Sequence, residues 1–268
     1  MKRALVSLIL VALTAAAPQL LAGVVIEMGA KDSSGRETPG DKIHAQSGMV
    51  RVDIAGTEDA MSMIFRDQAI LIIDHKKKTV AKMDQAAMEE VSSQMNEAMK
   101  QMEEQLASMP PEQRAMVEKM MKGKMKEMMP DQAEGNDTAY RVESVGSGQW
   151  QDYSCSKYAA YLGSEKIQEI CAAPVSQVDG AEEAMEAFKE MAKSMTKMLE
   201  SVRGPFANLA NNPMQMINQI EGFPVHTSHF DNGKLDRETF LKSSTQESLD
   251  DSLFAAPPGY KEENLFKR

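Results

Sequence analysis

The sequence predicts an α+β fold: a curved antiparallel sheet carrying two methionine-rich helical insertions. Three observations carry that expectation. Short runs with period-two apolar patterning recur from Val24 to Met83 and resume at Tyr140. Two blocks of helical periodicity, 84–130 and 181–221, interrupt them. The only two cysteines, Cys155 and Cys171, share one strand–turn–strand stretch between those blocks.

Val24, Ile26 and Met28 make the first alternating strand. Lys31 to Gly40, rich in Gly, Ser and Asp, reads as a loop. Lys42 to Gln46 and Met49 to Ile54 form a meander, with Val50, Val52 and Ile54 on one face and Arg51 and Asp53 on the other. Met61 to Arg66 and Ala69 to Asp74 make the next pair. The run Ala69 to Ile73 is apolar on both faces, so it needs cover on both sides or a cavity on one. His75 to Lys78 is a turn leading into Thr79 to Met83; its basic tip is either simply solvated or suited to anionic lipid headgroups.

Asp84 caps the first helix, whose Met88, Val91, Met95, Met99, Met102, Leu106 and Met109 fall within an arc of about 80°. Pro110-Pro111 ends it and starts a second, where Met116 to Met129 spread over about 220°, wider than one packing face needs. Ala181 to Val202 is a third helix with a buried stripe about 140° wide, and Asn212-Pro213 opens a short one carrying Met214, Ile217 and Ile220. Strands follow at Phe223 to Phe230 and Leu235 to Ser244, joined by an Asp231-Asn-Gly233 turn. One domain is expected over 23–260, then a charged tail at 261–268.

In the cysteine stretch, a three-residue loop of Leu162, Gly163 and Ser164 pairs Tyr161 with Glu165 and Lys157 with Glu169. That register sets Cys155 directly opposite Cys171, within reach of a disulfide, though two reduced, buried cysteines remain the alternative. Residues 1–22 read as a secretory signal: Lys2 and Arg3, an apolar run from Ala4 to Ala17, then Leu20-Leu-Ala22 before Gly23. An uncleaved anchor is the alternative reading; no later stretch approaches membrane-spanning length. Export to a periplasmic or secreted location agrees with a closed cysteine pair. Without Lys2 and Arg3 the chain has 28 basic and 40 acidic residues, a formal charge of −12, which argues against a nucleic-acid partner.

Several stretches then resemble one family. Ile64-Phe-Arg-Asp67, Leu71 to Thr79, Tyr153-Ser-Cys-Ser-Lys-Tyr158, Gly222-Phe-Pro224, Leu253-Phe254 and Pro258-Gly-Tyr260 stand in the order found in an uncharacterised family of exported bacterial proteins, a domain of unknown function. The resemblance implies a half-barrel like that of lipoprotein-carrier proteins and no catalytic residue. Cys171 stands where an aromatic is more usual, and the helical inserts exceed what a bare half-barrel needs.

Catalytic chemistry is not evident. His44, His75, His226 and His229 make no HExxH, no CxxC exists, and no nucleophile has an evident base, so neither a catalytic site nor a metal site nor a cofactor is expected. The 23 methionines read first as packing, second as an adaptable binding face at Met116 to Met129, and third as thioether clusters for Cu(I) at Met95-Met99-Met102 and Met125-Met128-Met129. The leading expectation is a non-enzymatic exported protein that holds an apolar small molecule, lipid or partner-protein segment between sheet and helices. Ile70, Ile72, Met120 and Met125 are the candidate ligand contacts. A Cu(I)-binding protein and a structural or chaperone-like partner binder are the alternatives.

Overall fold

The computed structural model describes residues 23–56, 61–110, 113, 140–200 and 213–264. Six strands come first: β1 (Gly23–Asp32), β2 (Glu37–Gln46), β3 (Met49–Ile54), β4 (Met61–Arg66), β5 (Ala69–Asp74) and β6 (Thr79–Met83). Helix α1 (Gln85–Ser108) follows, then β7 (Tyr140–Trp150), β8 (Tyr153–Leu162) and β9 (Glu165–Ala173). Helix α2 (Ala181–Glu200) and a 3-10 helix at Pro213–Gln219 precede β10 (Phe223–Asp231) and β11 (Lys234–Glu247). A 3-10 turn at Asp251–Phe254 and β12 (Lys261–Glu263) end the described chain.

All twelve strands join one curved, unclosed sheet in the order β12-β6-β5-β4-β3-β2-β1-β11-β10-β9-β8-β7. Every neighbouring pair is antiparallel except β6 and β12, which run parallel. Register shifts interrupt the ladders at Glu27/Met28, Ser144/Gly146, Ala160/Tyr161 and Pro224/His226. An extra residue in one strand raises local twist, so these bulges bend the sheet. The β10–β11 turn uses Asn232 and Gly233 at φ 50° and 72°, the pair of positive angles a tight hairpin requires.

The first half of the sheet is covered on both faces. Val24, Ile26, Val50, Phe65 and Ile70 enter a core shared with α2, including Met185 and Met191. Their neighbours Val25, Ile64 and Ile73 pack on the reverse face beneath Leu249 and Phe254. The doubly apolar run at β5 is thereby explained: Ile70 and Ile72 serve one core, Leu71 and Ile73 the other. Helix α1 begins where expected, with Asp84 Oδ1 accepting the Ala87 N–H at 2.9 Å.

Three expectations need correction. Lys31 to Gly40 is not a loop: β1 runs to Asp32 and β2 starts at Glu37, because the Asp32 carboxylate accepts the Ser34 and Arg36 N–H groups at 3.0 and 3.1 Å and tightens the turn. The tail at 261–268 is not merely a charged end, since Lys261–Glu263 pairs with Thr79–Ala81. Cys155 and Cys171 are bonded, with Cα atoms 5.4 Å apart, but they are diagonal rather than directly opposed. Residues 163 and 164 make the turn, Ile167 is the extra residue of a bulge, and Lys157 therefore faces Cys171 while Glu169 faces Ala159. Glu169 meets Lys166 instead, at 2.6 Å. The signal segment 1–22 and the expected second helix, with Met116 to Met129, lie outside the described residues.

Candidate functional site

Ala181, Ala184 and Ala187 have no exposed surface, and these short side chains let α2 sit close against the sheet. One turn beyond Ala184, Phe188 reaches past that tight contact. There a cavity of about 680 Å³ opens between α2, the 3-10 helix and the strands β1, β2, β10 and β11. Met28, Ile43, Met185, Phe188, Ile217 and Ile220 give it an apolar lining. Its volume falls in the range of small-molecule sites, roughly 300–1,000 Å³.

The mouth is polar and includes Asp32, His229, Arg237 and Thr239. Arg237 lies between Asp32 on β1 and His229 on β10, as the partner of each across its ladder. Burial first, and then the Arg237 charge, push the His229 imidazole down to about 4. It is therefore neutral near pH 7. Gln168 Nε2 donates to His229 Nδ1 at 3.3 Å, so His229 Nε2–H donates to Thr239 Oγ1 at 3.4 Å. Asp32 is held down to about 2, chiefly by the Ser34 hydroxyl; burial opposes this, and the Arg36 and Ser34 N–H groups with the Arg36 charge outweigh it.

The sequence-derived contacts fall elsewhere. Ile70 has no exposed surface and Ile72 packs on the same core; neither lines the cavity. Met120, Met125 and the Met125–Met129 cluster lie outside the described residues, as do the side chains of Met95 and Met99. The cavity residues were missed because they come from elements far apart in the chain, each of which reads alone as ordinary core. Met28 continues the alternation of Val24 and Ile26, and Phe188 keeps the helical spacing of Met185 and Met191, so no local signal marks a cavity.

A polar cluster on the reverse face was also invisible in sequence. Ser62 Oγ lies 2.8 Å from His75 Nε2, and His75 Nδ1 lies 3.0 Å from the Tyr260 hydroxyl. Ser62 also donates to Asp53 Oδ1 at 2.6 Å and accepts from Arg51 Nη2 at 3.1 Å. One arrangement satisfies every atom: Tyr260 donates to His75, His75 to Ser62, and Ser62 to Asp53. The Ser62 hydroxyl then has its hydrogen and both lone pairs engaged. At 2% exposure it offers no nucleophile. Arg51 Nη1 donates to the Leu253 carbonyl at 3.1 Å, so the cluster ties the C-terminal segment down.

Burial raises the Asp53 carboxyl, but hydrogen bonds from His44, Ser62 and Arg51 outweigh it and hold the group well below the carboxylate range. A depressed folded-state pKa stabilises above the unfolded value and is lost as pH falls through the folded one. Asp53→Asn is accordingly less stable than the parent at pH 7, and the gap narrows as pH drops below about 4. Urea midpoints of both proteins measured from pH 7 to pH 2.5 check this; a gap independent of pH counts against the carboxylate's role.

Among the described residues, no helix is long and apolar enough to cross a membrane, and no group of three or more His, Cys, Asp or Glu could hold a metal ion. A family model described as a domain of unknown function (DUF4412) matches residues 47–260. No curated protein matches the chain. Two solved structures are similar in outline. An uncharacterized conserved protein from Thermus thermophilus is 7% identical with a TM-score of 0.41, and 91% of each chain is covered. The protein PNGF-II is 11% identical with a TM-score of 0.31, covering 91% of this chain and 31% of that one. Likenesses this distant carry no argument about function.

Proposed function

The chain belongs to the DUF4412 family, whose function is unknown, and from that premise we propose that it is an exported, non-enzymatic protein that binds an apolar ligand between its sheet and its helices. The observation that carries this reading is the cavity under α2, with its apolar lining and polar mouth. Ligand sites have that composition: an apolar body with a few convergent polar groups that orient the bound molecule. Export is supported by the Cys155–Cys171 bond, which persists in oxidising compartments. The non-enzymatic reading is supported by the saturated Ser62 hydroxyl. A half-barrel of the lipoprotein-carrier kind, covered by methionine-rich helices, suits the same role.

Filling the cavity tests the proposal. Ala30 lines it from β1, and Ala30→Trp should abolish uptake of an apolar dye such as N-phenyl-1-naphthylamine while leaving the melting temperature within a few degrees. Native mass spectrometry of parent protein taken from its own periplasm should show an added mass that the variant lacks. A clean unliganded mass together with equal dye uptake by both proteins removes the proposal.

A further inference from the structure

We propose that the ligand of this cavity is a single-chain amphiphile with an acidic head group, its tail among Phe188, Ile217 and Ile220 and its head on Arg237. This rests on the cavity being a ligand site, and it names the ligand's class.

Arg237 is exposed at the mouth, and its natural partners are engaged or uncharged. Asp32 stands directly across the β1–β11 ladder. Its Oδ1 accepts the Ser34 and Arg36 N–H groups, while Oδ2 takes Arg36 Nε at 3.0 Å and Nη2 at 2.9 Å. On the other side stands His229, which burial keeps neutral. No ion pair or side-chain hydrogen bond to the Arg237 guanidinium is formed among the described residues. A planar guanidinium with its donors unused is a ready bidentate seat for a carboxylate or phosphate-type oxyanion.

Two of the other charges at the mouth are already committed. Asp41 accepts the Ala55 N–H at 2.9 Å. Lys31 lies 3.8 Å from Glu37 and over the Phe240 ring. Asp236 alternates with Arg237 along β11, so it lowers the local potential without occupying the guanidinium. Thr239 adds a second donor: because its oxygen accepts from His229, its own hydrogen is left for the head group. The volume suits one chain rather than several, and an exposed cation above an apolar hollow lets the head stay hydrated while the tail is buried.

The test compares dodecanoate with 1-dodecanol, two ligands with one tail, by calorimetric titration of delipidated full-length protein below their aggregation concentrations. The parent should bind the acid about tenfold more tightly than the alcohol. Arg237→Gln should erase that preference and leave the alcohol's affinity unchanged, while Arg237→Lys keeps the charge without the fork and restores part of it. Equal affinity for acid and alcohol in the parent overturns the acidic-head proposal while the cavity reading stands. Failure of both ligands to bind overturns the two together.

Discussion

Replacing Phe254 by alanine should cost about 3–5 kcal/mol, the range for deleting a fully buried aromatic side chain. Phe254 has no exposed surface and centres the reverse-face core with Val25, Ile64, Ile73 and Val80. Its segment is tied by polar bonds on both sides of it. Gln46 and Leu249 exchange two hydrogen bonds at 3.1 and 2.9 Å, and Arg51 and Arg66 donate to the carbonyls of Leu253 and Phe254. Farther on, the Lys261 N–H donates to the Lys78 carbonyl at 2.9 Å and leads into β12 on the free edge of β6. The hole left by alanine should therefore loosen the whole segment and expose one side of β4 and β5. Phe254→Leu keeps most of the volume and should lose much less. Urea denaturation of the three proteins decides it: a loss below about 1 kcal/mol for Phe254→Ala would show that the segment is not part of the cooperative unit.

That segment marks a boundary of what the amino-acid pattern reveals. Strands β3 to β6 were legible to the residue, because Met49–Ile54, Met61–Arg66, the doubly apolar Ala69–Asp74 and Thr79–Met83 are short apolar-patterned runs set between polar turns. Asp84 was legible as a cap for the same local reason. Pro39 and Gly40 misled: their types signal a loop, yet they lie in β2 because the neighbouring chain comes too near for a side chain. A Cβ on Gly40 would stand 2.4 Å from the Met28 carbonyl oxygen, and one on Gly29 would stand 2.5 Å from the Phe240 ring. Such close approach is set by partners far along the chain. No local rule reports it.

The candidate site was hidden for a related reason. Arg237 meets Asp32 and His229 only because β1 and β10 flank β11, a neighbourhood fixed by strand order rather than by any spacing in the chain. Ser62 and His75 likewise meet through the β4–β5 hairpin and the turn after it. What the pattern did supply was the demand for cover on both faces of β5. The helix core and the C-terminal segment each meet half of that demand.

The second large effect is expected at the disulfide. Cys155 and Cys171 are 16 residues apart, and a cross-link over a loop of that size stabilises by about 3 kcal/mol in the chain-entropy model. For a domain of this length that corresponds to roughly 6–12 °C in melting temperature. Both cysteines are buried, at 5% and 6% exposure, so the double variant Cys155→Ala, Cys171→Ala is the cleaner probe: it adds no thiol and no polar group to the core. The bond joins diagonal positions of a bulged hairpin, so it also pins the register in which Lys157 faces Cys171. Without it, β8 and β9 lose their one covalent constraint, and β7 beyond them is the outermost strand, paired on a single side. Hydrogen exchange in the double variant should therefore rise first in β7 and β8 and least in β3 to β5, which are held between two cores. A melting temperature within about 2 °C of the parent, or exchange that rises evenly across all twelve strands, would show that packing alone fixes this end of the sheet.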